Sequence, residues 1–145
     1  MTARKDGRLL RRYEMREILF RGKRIDNGAW ETGGITAYEQ TIRKSGYEII
    51  GKADGFHIPV IPETVGQYTG VKDKNGDMIF EGDIVAEISD MGEIGDPGKV
   101  YWHREHGSFY WGMGNSLVHS RELRIIGNVH DNPPYIRLDH EPSNA

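Results

Sequence analysis

The sequence predicts a mainly β fold with little helix: an N-terminal lobe of β-hairpins, then a small, partly open barrel of the SH3-like or OB-like kind. Three observations carry this expectation. Nineteen of the 145 residues are glycine, about twice the usual share. The glycines fall between short runs rich in β-branched and aromatic residues, the pattern of strands joined by turns. Asp26-Asn27-Gly28 and Asn75-Gly76 are strong turn signals, and Asn-Gly favours a tight type I′ hairpin because both residues accept positive φ.

Taken in order, Ile18 to Ile25 reads as a first strand and Ala29 to Tyr38 as its antiparallel return, with Ile25 and Trp30 as a cross-strand pair at the turn. Residues 39–45 are polar and read as a loop. Gly46 to Lys52 is a short strand, closed by Ala53-Asp54-Gly55. Phe56 to Ile61 is extended, but Pro59 has no amide proton and forbids a fully paired central strand. Pro62 to Val65 is a single helical turn or a corner, and Gly66 to Thr69 leads into the Asn75-Gly76 turn. Five further strands are expected: Met78 to Phe80, Asp83 to Ile88, Gly98 to Trp102, Ser108 to Trp111 and Leu123 to Val129, the count of a small barrel. Ser89 to Pro97 is acidic and glycine-rich, and is expected to be a mobile loop. Ser120 to Leu123 is expected to form one helical turn, and Gly112 to Asn115 a turn. The organisation is thus a flexible basic extension (1–14), an N-terminal β lobe (15–65), a C-terminal small barrel (66–134) and a flexible tail (135–145); residues 15–134 can form one compact unit.

Composition removes several classes of function. The chain has no cysteine, which excludes disulfides, thiolate metal sites and a cysteine nucleophile. Apolar runs such as Ile58 to Ile61 fall far short of the roughly 18 residues that span a bilayer. The basic N-terminus lacks an apolar segment of signal-peptide type, so cytoplasmic residence is the expectation. No serine-nucleophile elbow or phosphate-binding glycine loop occurs. Charge is unevenly placed: residues 1–24 carry nine Lys/Arg against three Asp/Glu, or +6, and residues 25–145 carry ten against nineteen, or −9. A basic arm can contact phosphates through Arg8, Arg11 and Arg12, although short basic termini are commonly no more than solvated tails.

Six pieces occur in a recognisable order: Arg16 to Lys23, Asn27 to Trp30, Val65 to Thr69, Thr69 to Gly76, Phe80 to Val85, and Ile125 to Val129 followed by Asn132-Pro133. In these the chain resembles the YopX family of phage and prophage proteins, from Met15 to about Pro134. The resemblance implies a phage- or prophage-encoded accessory protein of mostly β fold, residing in the cytoplasm of a bacterial host. It carries no catalytic residue set.

Three clusters offer chemistry. Asp73, Asp77, Glu81 and Asp83 are near one another in sequence, but Lys72, Lys74 and the Asn75-Gly76 turn break the spacing of a calcium loop, so they read as hairpin charges with Asp83 bonding local amides. His103 and His106 are three apart, with His119 and His130 elsewhere; a zinc-protease helix needs a spacing of four, so this pair reads as a hairpin tip. Tyr101, Trp102, Phe109, Tyr110 and Trp111 form an aromatic hairpin in which alternation places Tyr101 and Trp102 on opposite faces, one filling the core and the other free to bind. The expected binding surface is Tyr101, Trp102, Tyr110, Trp111 and Tyr68.

The leading functional expectation is a non-enzymatic binding module with phage or host protein partners, no cofactor, no metal and no membrane, and with homo-oligomerisation possible through exposed strand edges. Nucleic-acid binding through the basic arm and the barrel aromatics is the first alternative. A metal-dependent hydrolase built on Asp73 to Asp83 is the second.

Overall fold

Turn residues divide the chain into short strands. In the computed structural model, residues 16–40, 44–51, 55–119 and 122–131 are described. The strands are β1 (Phe20–Lys23), β2 (Trp30–Gln40), β3 (Lys44–Gly51), β4 (His57–Val60), β5 (Gly66–Lys72), β6 (Met78–Phe80), β7 (Asp83–Glu87), β8 (Gly98–His103), β9 (Ser108–Trp111), β10 (Asn115–Ser116) and β11 (Leu123–Asn128). Short 3-10 turns occupy Pro62–Thr64 and Leu117–His119. Two antiparallel sheets result, ordered β4-β3-β2-β1-β5-β6 and β10-β9-β8-β7-β11. The fold is mainly β, as the glycine-punctuated runs predict. The five strands assigned to a partly open barrel divide between the sheets: β6 ends the first, the other four make the second with β10, and neither sheet closes.

In the first sheet, β1 pairs with both β2 and β5, so hydrogen bonding is continuous from Phe20 to Phe80. The first hairpin pairs Lys23 with Trp30, and Ile25 is exposed. The expected Ile25–Trp30 pair fails because Arg24 N–H donates to Ala29 O and Gly28 N–H to Arg24 O, with Asn27 Oδ1 accepting from Ala29 N–H, which closes a longer loop. The polar stretch 39–45 is partly strand: Glu39 pairs with Ser45 and Gln40 with Lys44. Ladder bonds are made by the backbone, so side-chain polarity does not end them. Residues 41–43 lie outside the described residues. β4, which holds Pro59, is an edge strand, as a residue without an amide proton requires.

The Asn75-Gly76 turn is wider than a two-residue hairpin. Only Gly76 has positive φ, at 88°, and its N–H donates to Asp73 O. The buried Asp73 carboxylate explains the geometry: Oδ1 accepts the amides of Asn75 and Asp77, and Oδ2 accepts the amide of Ile125 on β11. One side chain thus shapes the turn and ties it to the second sheet.

The main core lies on one face of that second sheet, where Ile79, Val85, Val100, Trp111, Leu117 and Leu123 pack with Val71, Phe109 and Ile125. Leu117 begins a 3-10 turn that seats its side chain in this core, so the turn falls earlier than the expected 120–123, of which residues 120 and 121 lie outside the described residues. A second cluster of Leu19, Tyr68 and Phe80, with Met78, fills the first sheet. Residues 89–96 are exposed, and Ser89 Oγ accepts the amides of Met91 and Glu93. Close packing at the start of β8 depends on Gly98, where a Cβ would lie 2.5 Å from Gly112 Cα and 2.7 Å from Gly112 N. Those atoms are backbone and cannot rotate away. Gly98→Ala is therefore expected to cost about 1–3 kcal/mol of stability, read from urea denaturation; an unchanged midpoint would contradict the packing.

Candidate functional site

Of the four carboxylates weighed as a metal site, three are engaged separately and the fourth is exposed. Asp73 holds the amides described above. Glu81 Oε1 accepts the Gln67 amide at 2.9 Å. Asp83 Oδ2 accepts the Phe80 amide at 2.8 Å, and its Oδ1 meets the Arg21 guanidinium at 2.8 Å. Asp77 is exposed in the turn. Among the described residues, no group of three or more His, Cys, Asp or Glu side chains is placed to hold a metal ion.

Asp83 opens a cluster that spacing alone did not reveal. It sits on β7, between β8 and β11 in the second sheet, and Arg21 sits on β1, between β2 and β5 in the first. The Arg21 guanidinium lies 4.6 Å from the Trp30 ring and 4.9 Å from the Phe80 ring, and also donates to Glu81 O. Burial is the main influence on the Asp83 carboxyl and pushes its pKa up, against the opposing pull of Arg21. Trp30 Nε1 donates to Asp131 at 2.8 Å, and Asp131 also takes Lys23 and Asn128 Nδ2. Arg21, Lys23 and Arg24 therefore belong to this join or to pairs with Asp26 and Glu31, and not to a free basic arm. Arg8, Arg11 and Arg12 lie outside the described residues.

The same cluster sets an acid response. Burial, helped by the nearby Arg21 charge, lowers the pKa of His130, and the Lys23 and Trp30 hydrogen bonds hold the Asp131 carboxyl far below its usual range. A base with a lowered folded pKa takes its proton first in the unfolded chain, so stability falls as pH drops below the ordinary imidazole value of 6.5. Asp131 adds a loss below its ordinary value of 3.8. The thermal midpoint is expected to fall on acidification through the imidazole range, and His130→Gln to flatten that slope. An equal slope in the variant would rule out His130 as its source.

The aromatic hairpin is the remaining candidate. β8 and β9 pair Val100 with Trp111, Tyr101 with Tyr110, Trp102 with Phe109 and His103 with Ser108. Opposed residues share a face. Val100, Trp102, Phe109 and Trp111 therefore lie on the core side, and Tyr101, His103 and Tyr110 on the other. Along the core side burial falls off toward the tip: Val100 and Trp111 are buried, whereas Trp102 is 46% exposed and meets Phe109 edge-on at 4.9 Å. Trp111 and Tyr68, expected on the binding surface, are core residues. Trp111 sits at the inner end of the hairpin, and Tyr68 packs 5.7 Å from Phe80 in the cluster with Leu19.

On the opposite face the rings of Tyr101, His103, His106 and Tyr110 cluster. His103 and His106 stack at 4.2 Å with planes 8° apart, and Tyr110 lies 4.5 Å from His103. His103 Nδ1 accepts the His106 amide, and His106 Nδ1 bonds the Tyr110 hydroxyl. In-plane nitrogen lone pairs on stacked rings run parallel, so this pair is arranged for packing rather than chelation. His119 ends the second 3-10 turn, and the His130 ring lies 5.8 Å from that of Trp30.

Trp102 and Phe109 also line a cleft of about 270 Å³ with Gln67 of β5 and Glu81 of the β6–β7 turn. Gln67 and Glu81 are locked together, because Glu81 N–H also donates to Gln67 O. Gly66 permits the approach: a Cβ there would lie 2.7 Å from Glu81 O. The sequence offers no signal for Gln67, since its nearness to the hairpin depends on the placement of the two sheets.

These features define a two-sheet β protein with an aromatic hairpin at its surface and, among the described residues, neither a clustered metal site nor a helix long and apolar enough to cross a membrane. A sequence profile of the family described as YopX protein matches residues 14–137. The chain belongs to the YopX family. Among solved structures it is similar to protein EF1440 from Enterococcus faecalis, with 20% identity, 84% of this chain and 99% of that chain covered, and a TM-score of 0.52. At that identity the likeness is one of fold. No curated protein matches the chain.

Proposed function

We propose that the chain is a non-enzymatic binding module, phage- or prophage-encoded, that docks a protein partner on the tip of the β8–β9 hairpin. The observation that carries this reading is Trp102, a large aromatic left 46% exposed on a strand whose other core-side residues are more deeply placed. Exposed Trp and Tyr on rigid strands supply large contact area at low entropic cost and are enriched among residues that dominate interfaces. Tyr101 and Tyr110 give the opposite face of the same hairpin a similar character. The test is recovery of partners from phage-infected bacterial cells with the tagged chain. A defined protein is expected with the wild type and is expected to be lost with Trp102→Ala. Equal recovery with both would overturn the assignment of the surface.

Nucleic-acid binding is the second reading, favoured by Trp102 as a base-stacking platform together with Arg8, Arg11 and Arg12. It is weakened by the engagement of Arg21, Lys23 and Arg24 with carboxylates. It predicts salt-sensitive binding to single strands, lost on deleting residues 1–14.

A further inference from the structure

We infer that the cleft between Trp102, Phe109, Gln67 and Glu81 receives an arginine side chain of a protein partner. The inference rests on the hairpin being the docking surface and specifies what it recognises. The cleft is small, about 270 Å³ at the lower edge of the range of small-molecule and cofactor sites, and it is open to solvent, which suits the end of a side chain better than an enclosed ligand. Its walls are two aromatic rings set at 72° to each other, and aromatic faces attract cations through the ring quadrupole. Its rim carries a carboxylate. The Gln67 amide uses one of about four acceptor positions that a carboxylate offers, which leaves room for a guanidinium fork. Arginine both stacks its planar guanidinium on aromatic rings and pairs with carboxylates through parallel hydrogen bonds, whereas an ammonium is a compact, strongly hydrated point charge that offers neither planar stacking nor a fork. The site is preorganised: Gln67 and Glu81 hold each other through two backbone-linked hydrogen bonds, and Gly66 presses β5 against the Glu81 backbone. Charge supports the same occupant, since residues 25–145 carry a net −9 and the Glu81 carboxylate repels a phosphate.

The experiment is a titration of the full chain with a capped tetra-arginine peptide, followed by two-dimensional NMR of the indole N–H signals. The chain has three tryptophans, and Trp102→Phe identifies the signal of interest by its loss. The Trp102 indole and the Gln67 amide are expected to shift saturably. A capped tetra-glutamine peptide is expected to leave them in place, and tetra-lysine to bind more weakly. Glu81→Gln keeps the acceptor for the Gln67 amide and is expected to weaken binding by about two- to fivefold, the scale of an exposed ion pair. Three results would overturn the inference: no shift with tetra-arginine, equal binding of tetra-glutamine, or shifts with an oligothymidine strand alone. If tetra-arginine fails while Trp102→Ala still loses its partner in the pull-down, the arginine assignment falls and the docking surface stands.

Discussion

Asp83→Ala is expected to lower the free energy of unfolding by about 3–5 kcal/mol, the cost of removing one partner from a buried ion pair. The carboxylate accepts the Phe80 amide and faces Arg21, so its loss leaves a buried amide and a guanidinium uncompensated between the Trp30 and Phe80 rings. Arg21 Nε is already buried without a hydrogen-bond partner, and the Glu81 carbonyl that the guanidinium also meets is neutral and does not replace the lost charge. Burial raises the Asp83 pKa, which means that the intact pair is itself costly to ionise. Its own contribution to stability therefore declines as pH rises through the carboxylate range, and it does not explain acid loss. The expected signature is asymmetric: the double change Arg21→Met with Asp83→Ala restores part of what Asp83→Ala loses, because the orphaned charge is gone. Asp77→Ala, at an exposed position, is expected to stay within about 0.5 kcal/mol of wild type. Urea denaturation measures all three, and a loss below about 1 kcal/mol for Asp83→Ala would contradict a buried join between the sheets.

The second large effect separates two tryptophans on the same face of one hairpin. Trp111→Ala empties a buried site among Val100, Leu117 and Leu123 and is expected to cost about 3–5 kcal/mol. Trp102→Ala removes a half-exposed ring with one edge-on neighbour and is expected to cost about 1 kcal/mol or less. Any loss of binding in Trp111→Ala would thus report unfolding, and only the Trp102 change reads the surface. Equal stability losses for the two would show that the burial gradient along the hairpin is misassigned.

Much of the strand pattern was legible because glycine and proline act locally: Gly28, Gly76 and Gly82 turn the chain at positive φ, and Pro59 confines β4 to an edge. Strand alternation likewise puts Tyr101 and Trp102 on opposite faces, as the pairing of β8 with β9 has them. What alternation could not reveal is depth along the strand, which depends on where the other sheet lies; hence Trp111 and Tyr68 read as surface residues but are core. The Arg21–Asp83 pair was hidden for a related reason. Its members are 62 positions apart, and Arg21 was counted within a basic stretch whose other members lie partly outside the described residues. Yet Arg21, Trp30, Phe80 and Asp83 all stand in the pieces that carry the family resemblance, and they meet at the join between the sheets.

The proposed docking on the exposed hairpin tip stands apart from the buried join that holds the sheets. Its most direct test measures Trp102→Ala twice, by thermal unfolding and by partner recovery from infected cells. An unfolding midpoint close to wild type together with loss of the partner is predicted. A folded variant that still recovers the same partner would contradict it.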